Sequence, residues 1–166
     1  MSRRAWQIVI IGDGQPNAAA ENLAETLGQL LARGGYTLVT GGRGGVMEAA
    51  SRGAAQTGGT VVGILPGTHL HEANPYCTVV LPTGLGHGRN HLNVLAADAV
   101  VVIGGRAGTL SELSFAWLHG KPIAALLGAG GVAEQYAHQP LDDRQREPIY
   151  AAHSPEEVIA WLAQVL

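Results

Sequence analysis

Three times in this chain an apolar run breaks into glycines and then into residues that favour a helix. Residues 37–40 run into Gly41, Gly42, Arg43, Gly44 and Gly45 before Val46, Met47 and Glu48. Residues 100–103 run into Gly104, Gly105, Arg106, Ala107 and Gly108 before Thr109, Leu110, Ser111 and Glu112. Between them, residues 79–81 lead to Gly84, Leu85, Gly86, His87, Gly88, Arg89 and Asn90. If the apolar runs are parallel strands, all three loops leave the same edge of one sheet. Glycine lets backbone N–H groups approach a ligand closely, and each following helix points its positive end at that ligand. The layout predicts a site for an anion, and a phosphate fits it best.

The rest of the chain keeps the same alternation. Short apolar, β-branched runs predict strands at 6–11, 36–40, 60–65, 78–81, 99–103 and 122–127, with an edge strand at 149–151. Helical spacing predicts helices from the Asn17 N-cap to about 33, then over 46–56, 89–97 and 109–119. On the third of these Leu92, Leu95 and Ala96 share a face; on the fourth Leu110, Leu113, Phe115 and Leu118 are packing candidates. Ser154, Pro155 and Glu157 read as N-cap, first helical position and capping-box partner of a final helix. The stretch 68–76 reads as a loop, and 128–146 as a glycine-rich turn, a short helix and a polar tail. Strands alternating with helices imply an α/β fold: one Rossmann-like, doubly wound domain over 1–166, its sheet mainly parallel and its helices on both faces. Ligands of such sheets sit beyond the carboxyl ends of the strands, where the strand order reverses.

Composition narrows the function classes. The 166 residues suit one core, and with 46% hydrophobic and 14% charged residues the chain is not disordered. A formal net charge of -3 disfavours broad nucleic-acid binding, which needs a basic surface. Cys77 is the single cysteine, so no internal disulfide forms, which fits a reducing compartment. The basic start Met1-Ser2-Arg3-Arg4 precedes an apolar run that Gly12-Asp13-Gly14 ends too early for a signal segment or a membrane span. The expectation is a cytoplasmic protein with no membrane partner.

Known fingerprints are incomplete. Gly12-Asp13-Gly14 supplies the first two glycines of a dinucleotide motif, and Gly42-Arg43-Gly44 has Met47 where the third belongs. The one lysine, Lys121, stands between Gly120 and Pro122, so no P-loop exists, and no G-x-S-x-G elbow is present. A single glycine-rich loop is explained equally well as a tight turn. Two such loops, each with an arginine, favour phosphate, because Arg43 or Arg106 adds a bidentate donor. The binding candidates are Gly12, Gly42, Gly44, Gly45, Asn90, Gly105, Arg106, Gly108 and Thr109. Arg89 and Glu112 flank them, and Asn93 shares a helical turn with Arg89. Glu112 lies one turn into its helix, where the dipole favours its ionised form. His69, His71 and Glu72 cluster, and His87 and His91 are four apart, but no third ligand is evident and no metal site is expected.

These blocks, in this order, resemble the LOG superfamily, once mislabelled as lysine decarboxylases. The resemblance covers about residues 6–127. It implies a Rossmann-like homo-oligomer, dimer or tetramer, that takes a small phosphorylated ligand. The superfamily includes cytokinin riboside 5′-monophosphate phosphoribohydrolases and molybdenum cofactor carrier proteins. The P-G-G-x-G-T-x-x-E block of the hydrolases falls on residues 104–112. On that alignment Glu112 takes the place of the catalytic glutamate, Arg89 that of the arginine in an Arg-Lys pair, and Gly108 and Thr109 match the phosphate loop. The hydrolases cleave an N-glycosidic bond and need no cofactor. The chain departs from them in two places: the Pro-Gly-Gly start is Gly104-Gly105-Arg106 here, and Asn90 stands where the lysine belongs. Those changes, and the Gly-Thr-Leu-Ser-Glu ending, are closer to the carrier branch, where molybdenum cofactor is cargo. The DNA-processing protein A group shares the core, but no basic stripe is visible here. The leading expectation is a binding or carrier protein for a phosphorylated heterocycle; the alternative is a phosphoribohydrolase.

Overall fold

The computed structural model describes residues 4–145 and 147–166. Met1, Ser2 and Arg3 of the basic start, and Arg146 at the end of the polar tail, lie outside the described residues. Among the described residues the strands are β1 (Gln7–Gly12), β2 (Thr37–Thr40), β3 (Val61–Leu65), β4 (Val79–Pro82), β5 (Ala99–Ile103), β6 (Ile123–Leu126) and β7 (Tyr150–Ala152). The helices are α1 (Ala18–Arg33), α2 (Val46–Gln56), α3 (Arg89–Leu95), α4 (Ala107–Leu118), α5 (Gly131–Tyr136) and α6 (Pro155–Val165). The strands form one sheet in the order β4-β3-β2-β1-β5-β6-β7. Every pairing in it is parallel. The first four strands step outward one way from β1, and β5 returns to its other side. The strand order therefore reverses between β1 and β5.

Alternation along β1 divides the core. Ile8 and Ile10 join Leu27, Leu31 and Leu38 on one face, under α1, α2 and α6. Val9 and Ile11 join Val94, Leu113 and Trp117 on the other, under α3, α4 and α5. A parallel sheet covered on both faces needs apolar residues pointing both ways, and this explains the unbroken apolar runs. No helix among the described residues is long and apolar enough to cross a membrane.

Local chemistry sets the helix ends. Asn17 accepts from the Ala20 amide at 3.1 Å, and Ser154 from the Glu157 amide at 3.2 Å. The Glu157 carboxylate accepts from His153 at 2.7 Å, one residue earlier than a capping box requires. The loop at 68–76 contains one 3-10 turn, Leu70–Glu72, and α5 is the short helix of the 128–146 segment. Three packing candidates face outward: Leu92, Leu95 and Leu118 are 37%, 47% and 54% exposed. Helical spacing identified their helices, but α3 and α4 turn those positions away from the sheet.

Two glycines make the reversal point possible. A Cβ on Gly12 would lie 2.6 Å from Val46 Cγ1 and 2.7 Å from the Ile103 carbonyl. Gly45 has φ 61, and a Cβ there would lie 2.3 Å from the Asp13 carbonyl. That close approach lets the Val46 amide donate to Asp13 O at 3.0 Å. Gly45→Ala is expected to cost about 1–3 kcal/mol in urea unfolding, from overpacking and a strained φ. Gly108→Ala is expected to leave stability unchanged or raise it by up to about 1 kcal/mol, because Gly108 sits in a helix and a Cβ there meets nothing within 4 Å.

Candidate functional site

A cavity of about 510 Å³ opens at the carboxyl rim, beside the point where the strand order reverses. The loop after β1 gives it Gly12, Asp13 and Gly14; α3 gives Arg89 and Asn90; α4 and its N-cap give Arg106, Gly108, Thr109 and Glu112. Ile10, Ile11 and Met47 form its apolar wall, and Gly41 and His87 complete the rim. The structure thus brings Gly12, Arg89, Asn90, Arg106, Gly108, Thr109 and Glu112 together. Gly42, Gly44, Gly45 and Gly105 do not line the cavity. Gly42 has φ 74, and its carbonyl accepts from the Asn74 amide at 2.8 Å. Gly105 has φ 100, and its carbonyl accepts from Val132 at 3.0 Å at the start of α5. Arg43 turns away and pairs with Glu72 at 3.6 Å.

The two arginines differ sharply. Arg106, the α4 N-cap residue, is exposed and forms a bidentate pair with Asp13 across the mouth of the cavity. Burial alone would raise the Asp13 carboxyl; the Arg106 bond and the Gln15 and Gly14 amides outweigh it and hold it below the usual carboxylate value. Arg89 is 9% exposed and begins α3. Its Nη1 donates to Asn90 Oδ1 at 2.9 Å. Asn90 Nδ2 donates in turn to Ser111 Oγ at 2.9 Å, and that hydroxyl donates to the Gly108 carbonyl at 2.7 Å. A neutral relay therefore links Arg89 to the first turn of α4. Arg89 Nε and Asn93 Oδ1 are the buried side-chain polar atoms without a hydrogen-bond partner among the described residues.

Glu112 is 6% exposed. Its Oε1 accepts from Asn93 Nδ2 at 2.8 Å and lies 3.9 Å from Arg89 Nη1. Burial pushes its pKa up to about 7, although Asn93 and the Arg89 charge both oppose the rise. The helix dipole alone pointed to a plainly ionised side chain; desolvation outweighs it. Asp13, Gly41, His87 and the apolar wall were not marked as site residues in the sequence. Asp13 had a usable signal, since it stands between two glycines directly after a strand.

A larger hollow of about 650 Å³ lies at the opposite rim, near the starts of β6 and β7, lined by Trp117, Tyr150 and Trp161 among others. None of the three glycine-rich loops reaches it.

A buried Arg-Glu couple, a helix N-terminus and glycine loops now stand at one rim, in the order of the motif blocks. The comparisons with known proteins show the family. The chain belongs to the SLOG cluster4 family. The match spans residues 5–159. An uncharacterized protein of Archaeoglobus fulgidus is 40% identical over 123 residues, 74% of this chain and 81% of that protein. A cytokinin riboside 5′-monophosphate phosphoribohydrolase of Mycobacterium tuberculosis is 30% identical over 128 residues, 71% of this chain and 68% of its own. The structure of the molybdenum cofactor binding protein from Rippkaea orientalis aligns at a TM-score of 0.88 and 35% identity, covering 99% of both chains. The family is LOG-like, as the motif blocks implied.

The SLOG cluster4 site gives a pH prediction. The native Glu112 pKa, about 7, lies above the 4.5 of an ordinary glutamate in the unfolded chain, so the folded state holds the extra proton between those limits. Glu112 therefore costs stability progressively as pH rises from 4.5 to 7. Glu112→Gln removes that dependence. Thermal melts should show the variant gaining on the wild type between pH 5 and pH 8, by up to about 3 kcal/mol.

Proposed function

We propose that this protein binds a small phosphorylated heterocycle in the cavity at the carboxyl rim and holds it as cargo. The observation that carries this reading is Arg89: a buried guanidinium lining the cavity beside the α4 N-terminus, with a bare Nε. A buried cation with an unpaired donor calls for an anion, and the free amides of the first turn of α4 favour one. The half-buried Met47 offers a planar ring system an apolar contact at the cavity wall. The ligand is nucleotide-like or of molybdenum cofactor type; the likeness to the Rippkaea orientalis protein supports the latter. Gly12, Asn90, Arg106, Gly108 and Thr109 are its binding residues. Gly42, Gly44, Gly45 and Gly105 shape the loops behind them. Exposed Leu81, Leu92, Leu95 and Leu118 favour burial of this surface in a homo-oligomer.

A second reading is N-glycosidic hydrolysis of a nucleoside 5′-monophosphate, and Glu112 favours it. Water would add to C1′ of the ribose while the bond to the base nitrogen breaks, the base leaving with the pair of electrons and a proton. The Glu112 carboxylate would stabilise the positive charge that develops on the sugar, and Arg89 would orient the phosphate or the ribose. The Mycobacterium tuberculosis relative supports this chemistry.

Titration with inorganic phosphate and a panel of nucleoside monophosphates tests both readings. Gly108→Val, whose Cβ meets nothing within 4 Å, should fold and weaken binding at least tenfold. Unchanged affinity removes the phosphate loop from the account. Release of free base that disappears in Glu112→Gln establishes hydrolysis; tight binding without release establishes the carrier.

A further inference from the structure

Asn93 is 1% exposed, less than Arg89 or Asn90 on the same helix. Its Nδ2 donates to Glu112 Oε1 at 2.8 Å, while its Oδ1 has no partner. A bare buried carbonyl is costly, and an apolar side chain of the same size would avoid the cost. The amide is kept for its contact with Glu112. Among the described residues that carboxyl has no other hydrogen bond, and Arg89 stands 3.9 Å away.

We propose that Asn93 is the positioning residue for the Glu112 carboxyl, whose place in the cavity it fixes in both protonation states. Toward the carboxylate, Asn93 donates through Nδ2. When Glu112 takes a proton from solvent, a half-turn of the amide about Cβ–Cγ presents Oδ1, and the carboxylic acid donates to it. The half-turn exchanges the bond to Glu112 for one of the opposite direction and moves the bare position from Oδ1 to Nδ2, so each form of Glu112 keeps one bond and one amide atom stays bare. Release of the proton reverses the turn. Asparagine carries a donor and an acceptor on one planar group, so it serves both forms at one position.

The charged and titratable groups around this pair come from several elements. Arg89 on α3 favours the carboxylate, and the Arg43 charge acts on Arg89 in turn. Asp13 after β1, His87 before α3 and Arg106 at the α4 N-cap line the same cavity. Asp13 and Arg106 are occupied with each other. Burial favours the acid, and the balance leaves both forms of Glu112 populated near neutral pH. A carboxyl held this way can load and unload a proton without leaving its place. A fixed counter-ion has no need of that property; a group that exchanges a proton at the ligand does. This meaning rests on the reading that ligand occupies the cavity, whereas the positioning itself does not.

The test is a pH titration by NMR of the full chain without ligand, labelled with carboxyl 13C glutamate and 15N asparagine. The Glu112 carbon signal is the one lost in Glu112→Gln, and the Asn93 side-chain signal the one lost in Asn93→Leu. In the wild type the Asn93 amide should shift with the same midpoint as Glu112. In Asn93→Leu the Glu112 midpoint should rise by about one unit, because the charge-assisted bond lost from the carboxylate is stronger than the neutral bond lost from the acid. If that variant fails to fold, Asn93→Asp keeps the shape. The two carboxyls should then titrate in two steps, the upper one above the wild-type midpoint. An Asn93 amide signal that stays flat through the Glu112 titration overturns the proposal. So does a Glu112 midpoint that stays at the wild-type value in every variant that folds. Absence of phosphate binding leaves these curves untouched, so failure of the ligand reading is seen separately.

Discussion

Everything at this site depends on backbone meeting backbone where β1, β2 and β5 release their loops. Val46 N reaches Asp13 O, and Val132 N reaches Gly105 O, each at 3.0 Å. Such approaches leave no room for a side chain, and Gly12, Gly45 and Gly131 supply the space. The consequence is geometric. With the loops packed this tightly, the first turn of α4 and the first residue of α3 face one hollow, and the backbone amides at the start of α4 become available to a ligand. Looser loops would let Arg89 reach water, and an exposed arginine selects little.

Charge at the site is arranged in two layers. At the mouth, Arg106 and Asp13 satisfy each other in partial contact with water, where an ion pair is weak and readily exchanged. Deeper, Arg89 and Glu112 are nearly sealed, too far apart for a tight ion pair, and each carries a perturbed proton affinity. Breaking the outer pair costs little, so Arg106 is free to change partner. The inner groups cannot be screened by solvent, so an incoming anion feels Arg89 strongly. Asn90 fits this design. A lysine would add a buried charge, whereas Asn90 passes one neutral hydrogen bond from Arg89 to Ser111 and on to Gly108.

Much of this was legible in the sequence. Short apolar runs, four of them stopping at a glycine, predicted all seven strands; the central ones were plainest, because a strand buried on both faces has no polar alternation to confuse its length. Asn17, Ser154 and Pro155 marked helix starts through their own bonding chemistry. Arg89, Glu112, Gly108 and Thr109 stood out because they lie at helix starts after glycine-rich breaks, and their order also matches the LOG blocks. Other features depended on non-local geometry. The start of α4 at Ala107, ahead of Thr109, reflects an N-cap arginine that makes no side-chain capping bond. Gly42 and Gly105 looked like ligand loops, but their carbonyls brace a neighbouring loop and helix. The partnership of Asn93 with Glu112 joins residues 19 apart on two helices, and no local pattern encodes it. The outward turn of Leu92, Leu95 and Leu118 reflects helix rotation against the sheet, which spacing alone leaves undetermined.

The central claim is that amides of α4 and the guanidinium of Arg89 converge on one anionic group. A crystal structure grown with a nucleoside monophosphate measures this directly. The account places the phosphate within hydrogen-bond distance of the Gly108 and Thr109 amides, with Arg89 reaching the ligand from the α3 side. A phosphate bound away from that rim, or one seated there without either Arg89 or the α4 amides, would contradict it.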